Sequence, residues 1–293
     1  MTGGIWAAVL TPVDRDFSPD AAKAIPYYRD LLRRGCDGIN LLGTTGEAMS
    51  LCSDARLRFM EAMASSGVPI GRMMVGTGAA SLGDAVRLTS RAFGCGFAAA
   101  LVMPPFFYRE ATDDGILAFF EALFSRAKAP PRSVLLYNFP RMSGVTFHPG
   151  LVDRLTDAFP GIIAGVKDSS NSAELQSELA ARHRDLAIFP GSESDLPSAI
   201  ARGAAGCISG SVVLWPQLAQ AVFSTGSESQ GKELSRRRAA LSGLPFVAAV
   251  RHLTALLCRD SGWGRPIPPL VPLAPHQQHA LERGIEPLLE TVT

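Results

Sequence analysis

Along the first two-thirds of the chain, short apolar runs alternate with longer stretches in which apolar residues recur every three or four positions. The runs predict strands near residues 6–9, 38–41, 72–76, 98–102, 134–138, 163–167, 187–191 and 206–209. The stretches between them predict helices over 21–34, 54–65, 82–93, 113–128, 149–159, 173–181 and 195–202. Ser53 stands just ahead of one helix. Ser18-Pro19 and His148-Pro149 place a proline early in two others, where its missing N–H costs no helical bond. Strands that are apolar throughout are buried on both faces, as parallel strands joined by helical crossovers are. Eight of them, each followed by a helix, predict an α/β fold of the (β/α)8 TIM-barrel type. A doubly wound open sheet is the competing layout, but no Gly-x-Gly-x-x-Gly follows the first strand. The nearest run, Gly76-Thr77-Gly78-Ala79-Ala80-Ser81, lacks the third glycine and follows the third strand.

Beyond Ser209 the strands stop. Helical periodicity covers 214–223, 230–241, 245–259 and 275–290, with the connector Arg265-Pro266-Ile267-Pro268-Pro269-Leu270 ahead of the last. The expected organisation is a barrel over 1–212 that carries the active site and a helical extension over 213–293 packed on it. One domain of 293 residues is ordinary for such barrels, which typically take about 250.

Charge removes several function classes. The chain has 28 basic and 27 acidic residues, a net +1, so neither a polybasic nucleic-acid binder nor an acidic tail is expected. The run Arg236-Arg237-Arg238 has no interleaved aromatic residues on which bases would stack. Five widely spaced cysteines, Cys36, Cys52, Cys95, Cys207 and Cys258, form no Cys-x-x-Cys pair. That spacing argues against a disulfide framework or zinc cluster and for a reducing cytoplasm. The start, MTGGIWAAVLTP, has no basic segment or apolar run of a signal peptide. The longest apolar stretch, 97–108, is too short to span a bilayer and is broken by Pro104 and Pro105. No nucleic-acid or membrane partner is expected.

In a barrel, reacting groups lie at the C-terminal ends of strands. Those ends read Gly43-Thr44-Thr45-Gly46-Glu47, Tyr137-Asn138, Lys167-Asp168-Ser169-Ser170 and Gly191-Ser192-Glu193. Only four of the 28 basic residues are lysines (Lys23, Lys128, Lys167 and Lys232), so a lysine closing the apolar run Ile162–Val166 stands out. An amine held out of water is a nucleophile that can form a Schiff base with a carbonyl substrate. The plain alternative is a salt bridge with Asp168. Thr44 and Thr45 offer hydroxyls between glycines, for a ligand carboxylate or merely for a turn. Tyr137 is a proton relay or a core tyrosine. Glu47 fits a helix start as well as a catalytic acid. The five histidines, His148, His183, His252, His276 and His279, form no convincing metal set, and no cofactor is expected.

Together, Gly43-Thr44-Thr45-Gly46-Glu47, Tyr137-Asn138-Phe139-Pro140 and Gly165-Val166-Lys167-Asp168 resemble the dihydrodipicolinate synthase / N-acetylneuraminate lyase family. Supporting stretches are Gly76-Thr77-Gly78, Pro104-Pro105-Phe106-Phe107-Tyr108 and Gly191-Ser192-Glu193, and order and spacing agree from about Gly3 to Pro216. The resemblance implies a barrel with a C-terminal helical extension, assembled as a homotetramer, a dimer of dimers. It implies a class I mechanism in which Lys167 forms a Schiff base with pyruvate or a related 2-oxo acid and Tyr137 relays protons. Thr44 and Thr45 then hold the carboxylate, Thr45 joins the relay, and Ile208 and Gly191 line the substrate site.

Two departures bear on the reaction. The family's synthases read Tyr-Asn-x-Pro-x-Arg-Thr-Gly after the fifth strand, and that arginine helps bind the second substrate. Here Met142 takes its place and Arg141 comes one residue early. The family also often places a tyrosine after the fourth strand, which completes a hydroxyl relay in a neighbouring subunit. That position is Phe107 here, with Tyr108 beside it. The expected activity is therefore a cytoplasmic Schiff-base lyase cleaving, condensing or dehydrating a 2-keto-3-deoxy sugar acid. Alternatives are the dihydrodipicolinate synthase reaction of pyruvate with aspartate semialdehyde, and a non-catalytic barrel that binds a 2-oxo acid.

Overall fold

A computed structural model describes residues 3–285. Eight parallel strands form one sheet in the order β7-β6-β5-β4-β3-β2-β1-β8. They are β1 Gly4–Ala8, β2 Gly38–Leu41, β3 Met73–Gly76, β4 Ala99–Val102, β5 Val134–Asn138, β6 Ile163–Asp168, β7 Ala187–Pro190 and β8 Gly206–Ser209. The Ala205 N–H donates to the Ile188 carbonyl at 2.8 Å, so the two end strands meet and the sheet closes almost fully. This is the expected (β/α)8 TIM barrel. Helices α1 Ala21–Arg33, α2 Ser53–Ser65, α3 Leu82–Gly94, α4 Asp113–Ala127, α5 Pro140–Ser143, α6 Pro149–Ala158, α7 Ala173–Arg182 and α8 Leu196–Ala201 lie between strands. After β8 come α9 Pro216–Thr225, α10 Glu228–Ala239, α11 Phe246–Leu257 and α12 Pro275–Ile285.

Alternation along each strand sorts side chains into two cores. Ile5, Ile39, Leu41, Val75, Leu136 and Val166 point outward into the layer packed under the helices. Trp6, Ala8, Met74, Leu101, Leu135, Phe189 and Ile208 fill the barrel interior. A register shift beside Val134/Leu135 marks a bulge between β5 and β6.

Several local expectations shift. The first strand starts at Gly4 rather than Trp6, because Gly4 pairs with Gly206 and the Ile5 N–H donates to Asp37 Oδ2 at 2.8 Å. Pro19 does not start α1. It bridges to Val13, and Asp20 caps the helix through the Lys23 N–H. Ser53 is the first residue of α2 and Cys52 precedes it. His148 does cap α6, accepting from the Leu151 N–H with Pro149 next in the first turn. The helix expected over 214–223 begins at Pro216, behind a short turn over Ser211–Leu214. The four-residue α5 is too short to leave a periodic signal. Of the helix expected over 275–290, residues 286–290 lie outside the described residues. Among the described residues no helix is long and apolar enough to cross a membrane.

Candidate active site

β5 and β6 position the chemistry. Tyr137 and Lys167 are register partners on adjacent strands, and both side chains face the barrel interior. Lys167 Nζ lies 4.4 Å from the centre of the Tyr137 ring. Both are almost fully buried, at 4 % and 5 % exposure, and Lys167 has no ion pair among the described residues. The salt-bridge alternative therefore falls. Asp168 points to the opposite side of its strand, as the next residue must.

Asp168 is satisfied there by neutral donors. Its carboxylate accepts from Asn138 Nδ2 at 2.6 Å, Ser170 N at 3.1 Å, Ser170 Oγ at 2.9 Å and Gln176 Nε2 at 2.7 Å. Asn138 Oδ1 in turn accepts from the Phe147 N–H at 2.9 Å. The Asn and Asp of the two strand-end motifs are thus fasteners that tie the loops after β5 and β6 to each other. Their partners lie up to 30 residues away, so sequence reasoning had no signal for the pairing.

The loop after β2 brings the hydroxyls. Thr44 Oγ1 lies 3.4 Å from Tyr137 Oη, and Thr45 is buried beside β8. A Cβ on Gly210 would lie 2.6 Å from Thr45 Oγ1, so glycine is needed where the β8 loop passes the threonine. Gly191 is equally constrained: its N–H donates to the Asp168 carbonyl at 2.7 Å, and a Cβ there would meet Ser169 Oγ at 2.1 Å. Ile208 faces the interior from β8.

Glu47 is not a helix-start acid for a long helix, nor does it face the pocket. It adopts left-handed backbone angles ahead of a single turn over Ala48–Ser50. Its carboxylate pairs with Arg251 of α11 and accepts from the Ile267 N–H at 2.6 Å. Arg251 also donates to the carbonyls of Thr11 at 2.8 Å and Trp263 at 3.1 Å. Burial holds the Arg251 guanidinium below its ordinary value, and Glu47 offsets part of that shift. A second prop is Arg56 of α2. It donates to the carbonyls of Gly76 and Gly78 at 2.9 and 3.1 Å, and burial pushes it down to about 10. Neither arginine stood out in an arginine-rich sequence.

The outer positions differ. Phe107 and Tyr108 are 73 % and 77 % exposed and stacked edge-to-face on each other. Arg141 and Met142 sit exposed on α5. Among the described residues no group of three or more His, Cys, Asp or Glu side chains could hold a metal ion.

Residues 1–287 match the model of the dihydrodipicolinate synthetase family. The chain belongs to this family. It is 33 % identical over 297 residues to an uncharacterized DapA-like lyase of Chloroflexus aurantiacus, covering 99 % of this chain and 98 % of the relative. It is similar to the crystal structure of dihydrodipicolinate synthase from Agrobacterium tumefaciens, at 32 % identity and a TM-score of 0.92, covering 98 % and 99 % of the two chains. A 4-hydroxy-tetrahydrodipicolinate synthase of Synechococcus sp. is 29 % identical, with 99 % and 96 % covered. This member of the dihydrodipicolinate synthetase family is an enzyme, a lyase built on the family's barrel.

Proposed function

We propose that the enzyme works through a Schiff base at Lys167 on a 2-oxo acid, pyruvate or a 2-keto-3-deoxy sugar acid. The observation that carries this is the buried Lys167 amine, without an ion pair among the described residues, 4.4 Å from the Tyr137 ring, with the Tyr137 hydroxyl reaching Thr44 at 3.4 Å. The amine adds to the C2 carbonyl, and the carbinolamine hydroxyl takes a proton by way of Tyr137 and leaves as water to give an iminium. The iminium draws electrons from C3. A C3 proton leaves, or the C3–C4 bond breaks with release of an aldehyde, and an enamine remains. Tyr137 carries the protons these steps shed and return, with Thr44 and Thr45 next in line. Thr44 and Thr45 hold the carboxylate, and Ile208 and Gly191 bound the site.

Met142 favours a 2-keto-3-deoxy sugar acid over aspartate semialdehyde, since a thioether cannot grip a second carboxylate. The synthase reaction is the second reading, favoured by the names of the Agrobacterium and Synechococcus relatives. The same proposal includes a cytoplasmic homotetramer, with the Phe107–Tyr108 pair covered by a second copy. It divides the chain into a site-bearing barrel over 1–212 and a helical extension over 213–293, bolted on through Arg251 and Glu47.

Incubation with pyruvate and borohydride tests the covalent step. A reduced pyruvyl adduct is expected at Lys167 and is absent from Lys167→Ala. No adduct in the native enzyme, or one that persists in Lys167→Ala, overturns the Schiff-base reading.

A further inference from the structure

Asn40 is fully buried on β2, and neither its amide nitrogen nor its amide oxygen has a hydrogen-bond partner among the described residues. Its neighbours in register are Ala8 and Met74, both interior residues, while Ile39 and Leu41 on either side face the helices. The amide therefore points into the barrel. A buried amide without partners is less stable there than a leucine of similar size.

Barrel geometry fixes its height. Eight strands with a shear of about eight advance by roughly one residue per strand, and alternate strands supply the four side chains of each interior layer. Asn40 pairs with Met74 and Met74 with Ala99, so two steps of stagger lead to Leu101 of β4. In the other direction Asn40 pairs with Ala8, and the Ala7–Ser209 pairing places Ala8 level with Gly210. Two steps back lead to Ile208 of β8. Continuing from β4 through β5 to β6, with the bulge beside Val134/Leu135, leads to Lys167. Asn40, Leu101, Lys167 and Ile208 make one layer. β2 and β6 are four strands apart in a ring of eight, so Asn40 faces Lys167 across the barrel axis. Its nitrogen also lies directly under the hydroxyl loop, since a Cβ on Gly43 would be 2.9 Å from Asn40 Nδ2.

We propose that Asn40 is a substrate-binding group, its amide N–H donating to the carboxylate of the 2-oxo acid held at Lys167. This rests on the Schiff-base reading above. The amide supplies, from below, a donor to the anion that Thr44 and Thr45 meet from the loop, and an anionic acceptor makes that bond stronger than a neutral one. The other two members of the layer, Leu101 and Ile208, are apolar and offer no such bond.

The test reads borohydride-trapped adduct against concentration for pyruvate and for pyruvamide, which keeps the ketone and lacks the carboxylate. Asn40→Leu should raise the pyruvate concentration for half-maximal trapping by about 10–100-fold, shift pyruvamide by no more than about twofold, and leave the melting temperature unchanged or higher. Asn40→Asp, nearly the same shape, should weaken pyruvate further by placing a second anion against the first. It also serves if the leucine variant does not fold. Unchanged half-saturation for pyruvate, or equal losses for pyruvate and pyruvamide, overturns the role of Asn40. If the native enzyme traps neither compound, the Schiff-base reading fails first and this inference with it. Trapping by the native enzyme and equally by both variants removes Asn40 alone.

Discussion

The inner groups of the candidate site, Lys167, Tyr137 and Thr45, are 4 to 7 % exposed, whereas the outer groups, Phe107 and Tyr108, are 73 % and 77 % exposed. The inner groups sit on or beside strands whose register sets their direction to within a residue. The outer groups sit on the loop after β4 and the single turn of α5, where no ladder constrains them. Strand-borne groups suit a reaction that requires a fixed nucleophile, because a small displacement from productive geometry is costly. Loop-borne groups can change without disturbing the barrel. On this division the proposed Schiff-base chemistry belongs to β2, β5, β6 and β8, and we propose that the loops select the partner substrate.

The division is most exposed to failure at Tyr137. Tyr137→Phe should preserve the fold and lower turnover by roughly 10²–10⁴-fold, as loss of a positioned acid–base group does. A native rate in steady-state assays would make Tyr137 a packing residue. The next largest effect lies behind the inner end. Arg251→Met leaves the Glu47 carboxylate buried without its cation and should cost about 3–5 kcal/mol of stability by denaturant unfolding. Arg251→Met combined with Glu47→Leu should recover most of that loss. A single variant as stable as the native enzyme would show that the pair is not what fastens α11 to the hydroxyl loop.

At the outer end the expected effect is smaller. Without a guanidinium at position 142, aspartate semialdehyde should be used about 10–100-fold less efficiently than the best 2-keto-3-deoxy acid. Met142→Arg should narrow that gap in kcat/KM. A native value for aspartate semialdehyde of about 10⁴ M⁻¹s⁻¹ or more would assign the missing charge to Arg141 or another cation.

The smallest effect tests whether the pocket is independent of the opposite end of the barrel. Cys36, just before β2, is fully buried, and burial pushes its thiol up to about 12 from an ordinary 9.0. Between those values the unfolded chain has lost the proton and the folded chain keeps it. Stability contributed by this group is therefore complete below pH 9 and falls by about 1.4 kcal/mol per pH unit as pH rises toward 12. Burial also raises Tyr28, which steepens the loss at higher pH. Cys36→Val should flatten alkaline unfolding curves while turnover near neutral pH stays unchanged. A change in turnover would couple the two ends.

Much of the candidate site was legible because its motifs are short and end strands. Lys167, Tyr137, Thr44 and Thr45 each occupy a strand end or the loop after it, and parallel strands in a barrel bring such ends together. What was not legible is the support. Glu47 and Arg251 are separated by 204 residues, Asn138 and Asp168 by 30, and Glu193 meets Trp215 Nε1 at 2.9 Å across 22. A carboxylate reads the same in sequence whether it faces substrate or a distant arginine.

The sequence by itself determined the alternation of strands and helices, and with it the barrel and the side each strand residue faces, because hydrophobic period is a local property. Tertiary structure alone decided which polar groups meet. It tied Asp168 to Asn138, sent Glu47 to α11, left Phe107 and Tyr108 exposed, and set Asn40 opposite Lys167. Those outcomes depend on stagger, closure and helix docking, which are sums over the whole chain and leave no mark within any one segment.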